Sequence, residues 1–248
     1  MLSMEMNWTK AARGAARWMS VFAAVLVGVL ISVPAGATVM GNYEKALWSA
    51  ALRGDAGQVE KLVEDGADME ARDPAGNTAL GWAASSGSAA TVNVLLAHGA
   101  CVNVRNAYGV SPLARAASMD AVSVVKTLLA HGANPNIRDH EGRTVLMAVS
   151  MAGQARMVSI LCCGGAAVNA VDGRGRTPLM YAAVRDINVH ASFNTRRTRQ
   201  RMTWETVATV RALLSAGASS SVRDINGKTA LAWAIYQKNP ALKPLLTF

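Results

Sequence analysis

From about residue 42 onward, apolar positions recur at helical spacing in short paired stretches, broken by polar turns. Val92-Leu95-Leu96 and Val122-Val125-Leu128-Leu129 fall at i, i+3, i+4, i+7, the pattern of a helix with one buried stripe. Leu80 with Ala83-Ala84, and Leu113 with Ala116-Ala117, predict a shorter helix ahead of each, with a small-residue face. Ser111-Pro112 and Thr177-Pro178 set a capping hydroxyl before a proline at the first helical position. Gly87 and Gly153 mark the break between the two helices. Gly99, Gly132, Gly165 and Gly217 close the second helix, as a left-handed cap would. Each stretch therefore predicts turn, helix, helix, turn.

The stretches are copies of one unit. Gly76, Gly109, Gly142 and Gly175 are 33 residues apart, and Gly227 follows after 52, which is one period plus an insertion of 19. The turns read DPAGNTAL, NAYGVSPL, DHEGRTVL, DGRGRTPL and DINGKTAL. The second helices end in LVEDGAD, LLAHGAC, LLAHGAN, LCCGGAA and LLSAGAS, starting at Leu62, Leu95, Leu128, Leu161 and Leu213. A unit this small cannot bury its apolar face alone, so neighbours must stack. The period and the T-P-L…A-A…G…L-L…G-A skeleton resemble the ankyrin-repeat family over about residues 42–248. The resemblance implies an all-α solenoid of about six helix-turn-helix repeats, placed near 42–72, 73–105, 106–138, 139–171, 172–223 and 224–248. The first unit lacks a full turn and the last is short, as terminal caps are. The chain departs from the family in two respects. Trp48, Gly81, Ala114, Met147, Met180 and Ala232 stand where the family has the histidine of T-P-L-H, so the bonds that side chain makes to the turn must be weaker or replaced. Arg115 stands where the family has an inward leucine (Trp82, Tyr181 and Trp233 in other units), and its aliphatic stem would let the head snorkel to the surface.

The first residues follow a different rule. Lys10, Arg13 and Arg17 oppose one acid, Glu5, and Trp18 to Val33 is free of charge; Pro34 and the small-residue site Ala35-Gly36-Ala37 follow. That order is expected of a secretory signal peptide, residues 1–37, cut before Thr38, with the repeat domain at 38–248. The competing reading is an uncleaved anchor, although sixteen residues fall short of the roughly 17–25 a spanning helix needs. Either way the repeats are expected outside the cytoplasm: in a bacterial periplasm first, otherwise secreted or anchored.

Composition excludes several classes. With 51% hydrophobic residues the chain is not disordered, and three cysteines in 248 residues make no disulfide framework. The net charge of +9 is unevenly spread: residues 38–139 hold 8 basic and 10 acidic side chains, and residues 140–248 hold 14 and 5. Four of the basic groups, Arg196, Arg197, Arg199 and Arg201, crowd the insertion at 185–203, expected between the two helices of the fifth unit. Two readings stand for it: an anion-binding loop whose arginine forks take carboxylates or phosphates, or a solvated loop without a partner. Nucleic acid is not the expected target of an exported chain. Anionic lipid, envelope polymer or an acidic protein fits better.

Candidate chemistry is sparse. His98 and His131 occupy equivalent sites near helix C-termini, where the dipole favours an imidazole, and their repeat spacing does not suit shared metal ligation. Cys162 takes a core leucine position and reads as a buried thiol; Cys101 is a candidate for intermolecular pairing, and a thiol-dependent role rests on these cysteines alone. The chain has no G-x-S-x-G elbow, P-loop or dinucleotide fingerprint, so no enzyme and no cofactor or metal is expected. The family resemblance implies recognition of a protein partner through turn tips and inner helix faces, and the chain is expected to be a monomer. Mapped onto this chain, the tips are Pro74, Ala75, Asn77, Ala107, Tyr108, Val110, His140, Glu141, Arg143, Arg174, Arg176, Asn226 and Lys228. Ser85, Ser86, Met119 and Met151 lie toward the ends of the first helices, and Tyr108 is the first candidate anchor.

Overall fold

The computed structural model of the chain describes residues 41–184 and 196–247. The signal segment expected at 1–37 and the insertion residues 185–195 lie outside the described residues. Among the described residues twelve α-helices follow one another: α1 Asn42–Arg53, α2 Ala56–Glu64, α3 Ala79–Ser86, α4 Ala89–Ala97, α5 Pro112–Ser118, α6 Val122–Ala130, α7 Val145–Ala152, α8 Ala155–Cys163, α9 Pro178–Val184, α10 Arg196–Ser215, α11 Ala230–Tyr236 and α12 Lys243–Leu246. A 3-10 turn at Pro240–Leu242 precedes the last. There is no strand among the described residues, only an isolated bridge between Arg138 and Thr144. None of their helices is long and apolar enough to cross a membrane.

The helices form two layers. First helices pack in succession, α1 on α3, α3 on α5, α5 on α7, α7 on α9 and α9 on α11. Second helices pack alongside, α2 on α4, α4 on α6 and α8 on α10. Small side chains allow the close approach of the first layer: Ala50, Ala83, Ala116, Ala182 and Ala234 share one repeat position and are all buried. Leu62, Leu95, Leu128, Leu161 and Leu213 form the matching buried row of the second layer, each leucine contributing roughly 1.5–3 kcal/mol of transfer free energy.

Caps set the ends of the helices. The Thr78, Ser111, Thr177 and Thr229 hydroxyls accept from the amide three residues on, at 3.5, 3.2, 3.3 and 3.3 Å. Second helices close as the sequence predicted. Gly99 turns left-handed at φ +91°, its amide donating to the Leu96 carbonyl at 3.1 Å while the Ala100 amide donates to Leu95 at 3.0 Å.

Two expectations are corrected. The insertion is not loop throughout 185–203, because α10 begins at Arg196, well ahead of the equivalent start of α8 at Ala155. Arg115 does not snorkel to the surface: its head turns sideways along the stack, where hydrogen-bond acceptors on α3 and its turn wait for it.

Candidate partner-binding surface

Each turn is built around one side chain. Asp73, Asn106, Asp139, Asp172 and Asp224 each accept two backbone amides, from residues two and four further on, with one oxygen at 2.8–3.0 Å. The short side chain thus folds the tip onto itself. Adjacent tips are joined by main chain: the Ala107 amide donates to the Ala75 carbonyl at 3.0 Å and the Ile225 amide to the Arg174 carbonyl at 3.1 Å. Arg72 Nη1 bridges the carbonyls of Gly76 and Arg105 at 3.2 and 2.7 Å, and Arg138 joins Gly142 to Val171 in the same way. At Gly76 the φ of +75° and a backbone amide 2.7 Å from where a Cβ would sit leave room for glycine alone.

The second oxygen of the turn aspartate reaches the first helix nine residues on. Trp82 Nε1 donates to Asp73 at 3.0 Å, the Tyr181 hydroxyl to Asp172 at 2.7 Å and Trp233 Nε1 to Asp224 at 3.0 Å. Cations lie over these rings: Arg115 over Trp82 at 5.5 Å, Arg176 over Tyr181 at 4.6 Å and Lys228 over Trp233 at 4.5 Å. Burial pushes the Tyr181 phenol far above its ordinary range, and its bond to Asp172 adds to this against the opposing Arg176 charge. For Asp172 burial alone would raise the carboxyl. The donors from Tyr181, Arg176 and Arg174, with the Arg176 charge, outweigh it and hold Asp172 below the ordinary value.

This network divides the anticipated tip residues. Tyr108 stands 55% exposed, and Pro74, Ala107, His140, Glu141, Arg174 and Asn226 are exposed beside it or along the same edge. Arg143 and Arg176 are not free tips. Their side chains are 13% and 18% exposed, Arg143 pairing with Asp139 at 3.0 Å and Glu141 at 2.8 Å, and Arg176 with Asp172 at 3.1 Å. Asn77 is buried and serves the turn, while Ala75, Val110 and Lys228 are half-buried. Of the inner helix ends, Met119 is 52% exposed, whereas Ser85, Ser86 and Met151 are half-buried. The side chains of Arg196, Arg197, Arg199 and Arg201 lie outside the described residues.

Other positions were missed or misjudged from sequence. Ile225, 72% exposed, occupies the tip position of Pro74, Ala107 and His140, so the alignment of the turns was the signal that could have found it. Trp204 is 68% exposed on α10. Cys162 is half-buried rather than buried. Desolvation, helped by the neighbouring Cys163, raises its thiol above the usual value, while Cys101 and Cys163 are exposed. His98 and His131 cap α4 and α6 with Nδ1 2.9 Å from the carbonyls of Val94 and Thr127. Among the described residues no group of three or more His, Cys, Asp or Glu side chains is placed to hold a metal ion.

Stacked helix pairs, aspartate-folded tips and αL-capped second helices define a repeat solenoid with a rigid, presented edge. The profile of the family described as Ankyrin repeats (3 copies) matches residues 47–139 and 134–191, more than half of the chain, and the protein belongs to the ankyrin-repeat family. Ankyrin repeats form protein–protein interaction modules, and the fold is in general a non-catalytic scaffold. Among curated proteins, ankyrin repeat domain-containing protein 39 of Bos taurus and of Homo sapiens are each 45% identical over 42 residues, 17% of this chain; the match spans only 23% of those relatives' length. Among solved structures, a chain from the complex of the Bd0816 predatory endopeptidase of Bdellovibrio bacteriovorus with immunity protein Bd3460 is 26% identical, with a TM-score of 0.66, covering 82% of this chain and 97% of that one. An ankyrin repeat domain of Acinetobacter baumannii AYE is 25% identical at a TM-score of 0.67, covering 81% and 95%. The ankyrin repeat protein EF0377 is 24% identical at a TM-score of 0.68, covering 82% and 97%, and shows the fold alone.

Proposed function

We propose that the chain is a non-catalytic module that binds a protein partner outside the cytoplasm, gripping it with its exposed turn tips and inner helix ends. The observation that carries this is the pairing of rigidity with exposure: Tyr108 and Ile225 project from turns locked by their own Asx bonds and tied by main chain to the turn before. A pre-ordered aromatic anchor binds without a large ordering cost. The similarity to a structure that holds an endopeptidase with an immunity protein supports a role by complex formation. Location outside the cytoplasm rests on the charge, apolar run and Ala35-Gly36-Ala37 site of the first 37 residues. Crosslinking in the native compartment, with partner recovery, tests the reading. Tyr108→Ala with Arg174→Glu should reduce recovery at least tenfold, and unchanged recovery overturns it. Arg143 and Arg176 are unsuitable for this test, since their loss breaks the turn itself. Fractionation and N-terminal sequencing test the export, with Thr38 the expected first residue.

A second reading is favoured by α10. Its 20 residues against the 9 of α8 carry the arginine-rich sequence into the helix, ahead of exposed Trp204. We infer from this an association with anionic membrane or envelope surfaces. Sedimentation with anionic vesicles at low salt should be lost on deleting residues 190–201 and weaken as salt rises. Unaltered sedimentation removes this reading.

A further inference from the structure

The first helices place one residue per repeat at an equivalent inward position: Ser49, Trp82, Arg115, Ala148, Tyr181 and Trp233. Three of these are aromatics bonded to their turn aspartate. The third repeat breaks that pattern twice, with Asn106 in the turn and Arg115 on the helix. Arg115 is instead held by the neighbouring repeat. Nη2 donates to Asn77 Oδ1 at 2.7 Å, Nη1 donates to Ser85 Oγ at 3.3 Å, and the guanidinium lies over the Trp82 ring. Asn106 Nδ2 donates to the same Asn77 oxygen at 2.9 Å, fixing its orientation.

What Arg115 lacks is a counter-ion. Arg143 and Arg176 each pair with a carboxylate, but no carboxylate lies within ion-pair distance of Arg115 among the described residues. Asp73 is near enough to be felt, yet its oxygens are already taken by the amides of Ala75 and Asn77, the Asn77 side chain and Trp82 Nε1. Burial makes the Arg115 charge costly, which Asp73 only partly offsets. Two of the five guanidinium donors are bonded, leaving others for a ligand. On the far side the equivalent residue is Ala148, whose side chain ends at Cβ. The head is thus rigid, half-buried, partly desolvated and unmatched. These properties make an arginine an interface hot spot.

We propose that Arg115 anchors an aspartate or glutamate side chain of the protein partner on the inner face of the stack. The inference rests on the protein-binding reading above and specifies the partner's chemistry. The guanidinium fork suits a carboxylate in two-point contact. The Asp73 charge disfavours a doubly charged phosphate more than a singly charged carboxylate. The probe is a displayed library of random dodecapeptides panned on the full chain, followed by calorimetry with the selected peptides. Retained peptides should share an Asp or Glu whose change to Asn or Gln weakens binding at least tenfold. On Arg115→Gln, shown folded by its thermal melt, the same change should matter less than twofold. Arg115→Lys, which keeps the charge without the fork, should fall between. Peptides that bind with no acid dependence, or with equal loss on Arg115→Gln, overturn the Arg115 assignment and leave protein binding standing. Tighter binding of a phosphoserine version overturns the carboxylate. If no peptide is retained at all, both readings fall.

Discussion

Removing the cap hydroxyl of α7 should stabilise this protein, although removing a cap usually does the reverse. Five first helices begin at a Ser or Thr, and in four of them the hydroxyl accepts the amide three residues on. At Thr144 it does not. The Met147 amide donates to the Thr144 carbonyl at 3.1 Å, the Thr144 amide points to Met147 Sδ at 3.5 Å, and Thr144 Oγ1 is buried without a partner. Losing a functioning cap costs about 0.5–2 kcal/mol. A buried polar group with no partner costs about 1–3 kcal/mol. Valine replaces the hydroxyl by a methyl of similar shape, and the cap backbone is extended (φ −93°, ψ 164°), where a β-branched residue is at ease. Thr144→Val should therefore gain about 1 kcal/mol, while Thr177→Val, in the next repeat, should lose about 1 kcal/mol. Urea unfolding followed by far-ultraviolet circular dichroism separates them, provided both variants keep the parent's m value. A loss above about 0.5 kcal/mol in Thr144→Val would show a working cap and refute the reasoning.

Three further outcomes follow from the turns and thiols. Asp172 is held below its ordinary value in the fold, so its contribution to stability is present above about pH 4 and lost as pH falls through the lower folded value; Asp172→Asn should lower the melting temperature at neutral pH and flatten its acid dependence, and an unchanged acid slope would contradict this. Gly76→Ala must place a Cβ 2.7 Å from the Ala107 amide at φ +75°; the expected cost, about 1–3 kcal/mol in urea unfolding, is read against Gly87→Ala, which meets nothing within 4 Å at a similar φ and should cost less. Maleimide labelling at neutral pH should modify exposed Cys101 and Cys163 before Cys162, whose thiol is half-buried and raised; labelling of Cys162 first, read by peptide mass mapping, would count against that placement.

Much of the fold was legible because the repeat forces each signal to recur. One left-handed glycine is a weak sign, but Gly99, Gly132, Gly165 and Gly217 at fixed spacing leave no other reading, and all four have positive φ. The missing T-P-L-H histidine does not by itself undo the caps: hydroxyls still cap four first helices, α9 with Met180 at that position among them, and the exception is α7, where the Thr144 amide points to Met147 Sδ. The start of α10 was not legible, since the arginine-rich stretch has no apolar stripe to mark a helix. Arg115 was misjudged for a physical reason. Snorkelling is the default of an isolated arginine, whereas here Asn77 and Ser85 of the previous repeat offer acceptors that no reading of one unit alone reveals.

Contacts between neighbouring side chains also occupy part of the charge of the basic C-terminal half. The excess counted along residues 140–248 suggested an anion-seeking edge, but the fold engages three of its tip cations with neighbouring carboxylates or rings. Arg143 meets Asp139 and Glu141, Arg176 meets Asp172, and Lys228 rests on Trp233 and Tyr236. Arg174 and His140 are left as exposed tips there. The cation best prepared for a partner lies instead in the half whose net charge is −2, where Arg115 is oriented by three neighbours, with no carboxylate at ion-pair distance among the described residues. A charge count measures how many cations a segment holds. Binding depends on which of them the turns have left unpaired: the arginines four places past Asp139 and Asp172 meet those carboxylates, whereas Lys228, four places past Asp224, lies over aromatic rings.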